Sequence, residues 1–431
     1  MKTHLPIVII MITVVLVLTG CVQKKKMIVD PEHYKVYLIT SGDNSLVECQ
    51  RGMEFWKARL SKIGDDETSQ LKLASLYASR FKLNGKIEDI YASDSLYEKV
   101  LKNYPQGHVG IYQALATNSI TKHEFRQARN YVESALAIGD NKAASLYMMA
   151  DVNLELGDYA GAKTVLKSFT NKNSFAYLIR EAKVKDHEGK LDTAIFLMEK
   201  ALDRIKENKS LFTWTTSNLG DMYGHAGRVE EAYQAYLDVL KTDPEYDYAL
   251  KGIAWIAFSH DHNTSEAKRI INLIAGKRST PDMHLLLAEI AAFEKNEPEK
   301  VFQLKSFESK ARDPKYSGMY NKYLATLEAE ELSNPAKAIE IAEQEIHNRP
   351  TPQSYDLLAW GYYQQGQIEK AVEVAQHYIE GKTFEPEAIY HLGLIYHNLD
   401  EKKSQKFLAE ASESSFELGP AISANIQQHL K

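Results

Sequence analysis

Pairs of one large and one small apolar residue recur along the chain at a nearly constant interval. Position 115 is followed by 149, 219 by 253 and 287, and 324 by 358 and 392, each a step of 34 residues. A fixed period of this length indicates stacked copies of one structural unit. The pairs are Leu115-Ala116, Met149-Ala150, Leu219-Gly220, Ile253-Ala254, Leu287-Ala288, Leu324-Ala325, Leu358-Ala359 and Leu392-Gly393.

A second pattern, a glycine followed five residues later by an alanine, lies in phase with the apolar pairs. Glycine can adopt the left-handed conformation that ends a helix, and alanine allows the next helix to pack closely against the first. Each unit is therefore predicted to be a helix, a turn and a second helix. The pattern occurs at Gly157 and Ala162, Gly189 and Ala194, Gly227 and Ala232, and Gly366 and Ala371.

The unit that begins at Thr213 resembles a tetratricopeptide repeat along its whole length. The resemblance implies an all-α fold, a right-handed superhelical solenoid of about ten helix-turn-helix units. The units would tile residues 67–419, about four fifths of the chain. The residues in the family's signature places are Leu219, Gly220, Tyr223, Gly227, Ala232, Tyr236 and Pro244.

Both ends of the array are predicted to carry capping helices, because a solenoid must cover its terminal apolar faces. In residues 45–66, five apolar residues share one helical face. Residues 420–431 are expected to form a polar C-terminal cap. Cys49 lies on the apolar face of the N-terminal cap and is interpreted as a buried thiol. The five apolar residues are Leu46, Cys49, Met53, Trp56 and Leu60.

Residues 1–20 have the features of a secretory signal. Lys2 precedes a run from Ile7 to Leu18 that is apolar except for one threonine and too short to cross a bilayer. The run ends in Leu18-Thr19-Gly20-Cys21, which resembles the bacterial lipobox. The resemblance implies lipid attachment at Cys21 and a tether over residues 21–44; the alternative is a plain secretory signal with a chance cysteine.

The lipobox resemblance also implies a location. The residue after Cys21 is Val22, not the aspartate that commonly retains such lipoproteins in an inner membrane. The protein is therefore expected in the bacterial cell envelope, held by its lipid. An outer membrane, with the chain facing the periplasm, is favoured if the cell has two membranes.

Composition and charge narrow the classes of function. The net charge is −6, so no excess of positive charge is available to neutralise nucleic-acid phosphates. The two cysteines cannot build a disulfide framework or a four-cysteine zinc site. Nucleophile-elbow, phosphate-loop, dinucleotide-binding and His-Glu-x-x-His motifs do not occur, so no enzyme, cofactor or metal is expected. His260-Asp261-His262 is interpreted as a helix end rather than a metal site.

In tetratricopeptide repeats the first helices of successive units line a concave groove, and four positions of each unit point into it. Applied to this sequence, the resemblance predicts an aromatic groove that also contains charges of both signs, including Asp221, Lys322 and Asp356. Aromatic side chains with polar tips suit the recognition of a peptide or of a partner's helix. The groove residues proposed to bind a partner are Trp214, Tyr248, Lys251, Trp255, Phe258, Trp360, Tyr363 and Tyr390.

Two functions remain compatible with the sequence. The first is a lipid-anchored scaffold that binds an envelope protein or peptide in the groove. The second is a glycan- or solute-binding lipoprotein of a polysaccharide-uptake system, whose aromatic residues would stack on sugars. The small number of residues beyond ten regular units favours the scaffold, because helical-repeat glycan binders carry long insertions around the sugar site.

Overall fold

The computed structural model describes residues 27–40, 44–104, 108–205 and 207–430, and these residues form helices and connecting turns without strands. The signal segment and Cys21 lie outside the described residues. Ten helix pairs follow one another from Glu67 to Ser412, and consecutive helices pack side by side. The prediction of an all-α tetratricopeptide solenoid of about ten units is confirmed.

Before the array come a 3₁₀ turn at Pro31–His33 and the helices α1 (Lys35–Thr40) and α2 (Asn44–Ile63). Units 1 to 5 contain α3 (Glu67–Asn84), α4 (Glu88–Asn103), α5 (Val109–Thr121), α6 (Phe125–Ile138), α7 (Lys142–Glu155), α8 (Tyr159–Lys167), α9 (Phe175–His187), α10 (Leu191–Leu202), α11 (Lys209–His225) and α12 (Val229–Thr242). Units 6 to 10 contain α13 (Asp247–Trp255), α14 (Thr264–Lys277), α15 (Asp282–Phe293), α16 (Glu297–Ala311), α17 (Asn321–Glu330), α18 (Pro335–Asn348), α19 (Pro352–Gln364), α20 (Ile368–Tyr378), α21 (Pro386–Tyr396) and α22 (Glu401–Ser412), and α23 (Ser415–His429) follows them.

Unit 5 shows how the repeat sequence produces this geometry. The Asn208 side chain accepts a hydrogen bond from the backbone N–H of Leu211 and so caps the start of α11. Gly227, with φ of +70°, forms the turn that leads into α12. Ala232 is fully buried where α12 crosses α11. A side chain at Gly220 would begin 2.6 Å from the Tyr236 ring, so glycine allows the two helices to approach closely.

Helix α2 packs against α3 at the start of the array. Its buried residues Cys49 and Met53 join Leu73 in one small cluster, and Trp56 packs against it. The Cys49 thiol donates a hydrogen bond to the carbonyl oxygen of Leu76 at 3.3 Å. Burial raises the pKa of this thiol, which keeps it protonated and therefore a poor nucleophile.

The expected tether requires correction, because its described part is folded onto units 5 and 6. We call residues 27–40 the N-terminal arm. The Tyr34 ring is fully buried, and its hydroxyl donates a hydrogen bond to Glu266. The Asp261 carboxylate accepts hydrogen bonds from the backbone N–H groups of Ile28 and Val29 at distances of 2.8 to 3.1 Å. Asp261 thus holds the arm in place. The docking of the arm could not be predicted from the sequence pattern, because Tyr34 lies outside the repeats.

The superhelix brings the turns of units 1 to 4 against the loops between later units, and we call this contact the seam. The backbone N–H of Ser279 donates to the carbonyl of Asn84 at 2.9 Å. The side-chain amide of Asn348 donates to the carbonyl of His123 at 2.6 Å. Further along, Arg349 forms an ion pair with Glu155 at 2.8 Å. Residues between 194 and 225 positions apart therefore touch directly.

The C-terminal cap also differs from the prediction. Helix α23 begins at Ser415 rather than at 420, and it is broken at Gly419, which has φ of 78° and ψ of 171°. The part after the break covers unit 10, with Ile426 fully buried. The part before the break contacts α11, α15 and the turn that follows α13. Within the described residues, no helix is both long and apolar enough to cross a membrane.

Candidate functional site

The ends of α9 and α11, the start of α19 and the loop before α21 meet around residues 414–419. We call this region, together with the adjoining side chains of α13, α15 and α17, the inner channel. One cavity in it has a volume of about 160 Å³. The cavity lies between the end of α9, the end of α11, the loop before α21 and the segment before Gly419. Its wall includes five ionisable side chains, namely Asp186, His187, His225, Glu385 and Glu417.

Besides Trp255, four of the predicted groove residues are at least partly exposed. The ring of Tyr248 is 48% exposed, and its hydroxyl donates a hydrogen bond to Asp221 at 2.7 Å. Trp214 is half-buried and meets the Phe175 ring edge-on. Lys251 is partly exposed and forms an ion pair with Asp282 at 3.1 Å. The fourth is Tyr363, whose ring is partly buried.

Phe258 does not line the groove, which corrects the prediction for this residue. Its side chain is fully buried, and its ring packs edge-on against Trp255 and Phe293. The chain from Ile256 to His260 forms a π-helical turn. Such a turn is wider than a regular α-helical turn, so the side chains in it no longer follow the repeat positions.

Trp360 and Tyr390 are also less accessible than predicted, with exposed fractions of 4% and 8%. The Trp360 ring stacks on His391 at 4.0 Å between centroids and on Tyr363 at 5.0 Å. Its indole N–H donates a hydrogen bond to Glu330 at 2.8 Å. The hydroxyl of Tyr390 donates to Asn425 in α23. These aromatic side chains join units 8 to 10 to one another and to the C-terminal helix.

His391 connects this aromatic stack to a buried carboxylate. Its Nδ1 lies 2.9 Å from an oxygen of Asp356, and both side chains are buried. Burial lowers the pKa of His391, but the Asp356 carboxylate outweighs burial and holds the pKa above its ordinary value. The other oxygen of Asp356 is buried and accepts no hydrogen bond from the described residues.

The lysines of the inner channel are paired with carboxylates of the same chain. Lys322 forms an ion pair with Glu387 at 2.5 Å, as Lys251 does with Asp282. Glu289, by contrast, has neither a hydrogen bond nor an ion pair within the part of the chain that the structure describes. Burial, together with the nearby charge of Glu387, raises the pKa of Glu289 to about 7. Among these charged side chains, Glu289 is thus the one without a partner of opposite charge in the described residues.

Sequence reasoning missed the segment that covers Trp255. The indole N–H of Trp255 donates a hydrogen bond to the backbone carbonyl of Phe416 at 3.1 Å. The sequence signal was Gly419-Pro420 directly after Phe416-Glu417-Leu418, which marks a break in a helix but does not indicate what the segment contacts.

A comparison with protein families supports the repeat assignment. The Tetratricopeptide repeat family model matches residues 144–174. These residues cover most of α7, the turn at Gly157 and α8. Together with the ten helix pairs, this match supports the tetratricopeptide-repeat fold of the chain.

A curated relative and two solved structures are similar to the chain at 13% to 25% sequence identity. Cellulose synthase 1 operon protein C of Komagataeibacter xylinus is 25% identical over 163 residues, which are 38% of this chain and 10% of that protein. The match thus spans about a tenth of the relative's length. A tetratricopeptide repeat protein from Parabacteroides merdae is 13% identical, with a TM-score of 0.40, over 58% of this chain and 95% of its own. Human IFIT1, solved as a dimer with PPP-AAAA, is 13% identical, with a TM-score of 0.46, over 76% of this chain and 77% of its own.

Proposed function

We propose that the protein is a lipid-anchored scaffold of the bacterial envelope that binds a basic segment of a partner protein in the inner channel. The observation that carries this proposal is Glu289, a carboxyl group in the channel without a cation beside it. Its pKa of about 7 reflects burial and the neighbouring Glu387. A lysine or arginine side chain from a partner would supply the missing positive charge and favour the ionised carboxylate.

The pairing of the channel's own lysines supports a basic partner. Because Asp282 and Glu387 already neutralise Lys251 and Lys322, these lysines offer little attraction to an acidic ligand. Glu330 adds a further carboxylate, which accepts the indole N–H of Trp360 but has no ion pair among the described residues. Complementary charge steers a partner towards the channel and fixes its register.

The anchoring part of the proposal rests on the lipobox-like sequence that ends at Cys21. Acyl chains on this cysteine would hold the chain on a membrane without a spanning helix. The similarity to a protein named for a bacterial cellulose synthase operon supports a bacterial setting. The outer membrane, with the chain facing the periplasm, stays the favoured location in a cell with two membranes.

The proposal is tested by capturing partners from detergent-solubilised membranes with the full chain. Three baits are compared: the unmodified chain, the double variant Glu289→Gln/Glu330→Gln and the control Glu133→Gln. Glu133 is exposed on α6, so its neutralisation changes the net charge without touching the channel. We expect the double variant to recover at least about tenfold less of the partner, and the control to recover it fully. Equal recovery by all three baits would contradict binding in the channel.

The same protein preparation is used to test the alternative function, glycan binding. Calorimetry of the full chain with soluble oligosaccharides should show no heat of binding, because Trp360 lacks an open ring face and Trp255 lies under Phe416. Binding of a sugar, with none of the captured proteins binding, would replace the scaffold by the glycan-binding function.

A further inference from the structure

The chain occupies part of its own inner channel with residues 414–419, which we call the C-terminal segment. We propose that this segment occupies the site where a partner protein binds; we call this site the seat, and it includes Trp255, Ser259 and Gly224. The partner would present an aromatic, a basic and an aliphatic residue where the chain has Phe416, Glu417 and Leu418. The inference rests on the proposed function and names the chemistry of the partner's segment.

The seat recognises the backbone of the segment. The carbonyl oxygen of Phe416 accepts two hydrogen bonds, from Trp255 Nε1 at 3.1 Å and from Ser259 Oγ at 2.6 Å. Trp255 ends α13, and Ser259 lies in the π-helical turn after it. Two donors that converge on one carbonyl can hold any segment with the same backbone path, whatever its side chains.

Helix α11 has a glycine, Gly224, at the point where the Phe416 ring lies against it. Gly224 has no side chain, and a Cβ atom there would lie 2.7 Å from Cε1 of Phe416. The ring packs against the core of units 5 to 7, as Tyr223 and Trp255 also do. Leu418 is buried in the other large cluster, that of units 8 to 10. The aromatic and aliphatic positions of the segment are therefore both defined by packing.

The end of the segment fits only without a side chain. Gly419 has φ of +78°, and a Cβ atom there would lie 2.5 Å from a carboxylate oxygen of Glu289 and 3.1 Å from the Trp255 ring. The unpaired Glu289 thus lies directly against the segment. A partner segment that places a cation beside this glycine would reach the carboxylate that the chain itself leaves without one.

The charge of the segment does not match its surroundings. Glu417 lies 3.9 Å from His225, and Lys322 also acts on it, although Lys322 is already paired with Glu387. The carboxylates of Asp186 and Glu385 oppose these two cations. Burial and these carboxylates raise the pKa of Glu417. The segment therefore fits by shape and hydrogen bonding, whereas a lysine or arginine at this position would fit by charge as well. A partner with that residue should displace the chain's own segment.

The test uses the full chain in detergent and fluorescently labelled peptides that copy Ser414–Ile422. One peptide has the natural sequence, one carries Glu417→Lys, and one carries Glu417→Lys with Phe416→Ala. Each is titrated into the unmodified chain and into two variants designed to free the seat, Phe416→Ala and Gly419→Ala. Phe196→Ala is the control, because Phe196 is exposed on α10 and distant in sequence from the seat.

We expect the Glu417→Lys peptide to bind the freed seat at least about tenfold more tightly than it binds the unmodified chain or the control. At the freed seat, the natural peptide and the peptide without phenylalanine should each bind at least about tenfold more weakly than the Glu417→Lys peptide does. Equal affinity of the Glu417→Lys peptide for the unmodified and freed chains would overturn the inference. So would equal affinity of the three peptides for the freed seat.

Hydrogen–deuterium exchange on the unmodified chain gives a readout that needs no variant. The Glu417→Lys peptide should speed exchange in residues 415–429 and leave exchange in α2 and α3 unchanged. No change in residues 415–429 at saturating peptide would also overturn the inference. Because partner capture with Glu289→Gln/Glu330→Gln is scored separately, the inference can fail while the scaffold function stands.

Discussion

The indole N–H of Trp255 and the backbone carbonyl of Phe416, 161 residues apart, are joined by a hydrogen bond of 3.1 Å. This bond ties the first helix of unit 6 to the segment that follows unit 10. It explains how a tryptophan at a groove position is held by the chain itself. Both residues pack against the apolar cluster of units 5 to 7, and Leu418, two residues after Phe416, is buried in the cluster of units 8 to 10.

Replacing Trp255 by phenylalanine removes the N–H donor and keeps an aromatic ring. Phe416 retains its bond to Ser259, so we expect a loss of about 1 kcal/mol in the free energy of unfolding, measured by urea titration. Trp214→Phe is the control, since Trp214 makes an edge-on ring contact with Phe175 and no hydrogen bond from its indole within the described ranges. Equal losses in both variants would show that ring size rather than the hydrogen bond matters.

Neutralising Glu289 should change how stability depends on pH. Its pKa of about 7 lies above the value of an unfolded glutamate, so the folded state binds the proton more tightly. This contribution to stability is complete below about pH 4 and is lost as the pH rises through 7. Glu289→Gln should therefore match the unmodified chain near pH 4 and exceed it by on the order of 1 to 3 kcal/mol at pH 8. A Glu133→Gln control should show no such divergence, and parallel curves for Glu289→Gln would contradict the raised pKa.

The seam can be tested at two glycines that share a backbone conformation. Gly157 and Gly227 have φ of +72° and +70°, so alanine is strained at either position. A Cβ atom at Gly157 would lie 2.8 Å from the carbonyl oxygen of Pro350, whereas Gly227 has nothing within 4 Å. We expect Gly227→Ala to cost about 1 kcal/mol and Gly157→Ala about 2 to 4 kcal/mol in urea unfolding. Similar losses of unfolding free energy in the two variants would mean that the backbone near Pro350 moves away at little cost.

The N-terminal arm should depend on one buried hydroxyl. Tyr34→Phe removes the donor to Glu266 and leaves the ring in place, which should lower the free energy of unfolding by about 1 to 2 kcal/mol. Tyr37→Phe serves as the control, because the Tyr37 ring is only partly buried against the same cluster. Proteolysis between the arm and α2 gives a second readout, and it should be faster in Tyr34→Phe alone.

Membrane attachment should depend on Cys21 and not on the second cysteine. Cys21→Ser is expected to move the protein into the soluble envelope fraction, because the sulfur that would carry the acyl chains is missing. Cys49→Ala keeps Cys21 and should stay with the membrane after a high-salt wash. A Cys21→Ser protein that resists the same wash would contradict lipid anchoring.

The helical repeat could be predicted from the sequence because its determinants are local. The glycine and alanine of each turn and the apolar pairs act within about 34 residues. Trp255 and Trp360 show where this reasoning ends, since both occupy the same position of their repeats. Trp255 is covered by Phe416, 161 residues further along the chain, whereas Trp360 stacks on His391 of the next unit. The position in the repeat therefore does not determine what covers each ring. The docking of Tyr34 was hidden for the same reason, because its partner Glu266 lies 232 residues away.

The seam has a consequence for the length of the array. In an open solenoid each repeat contacts only its neighbours, so repeats can be added or removed with local effects. Here Asn84 bonds to Ser279, and Glu155 pairs with Arg349, across the superhelical turn. Deleting one repeat between these partners would shift every later loop out of register with units 1 to 4. The number of repeats between the partners is thus itself a structural constraint, and distant units should unfold in a single cooperative transition.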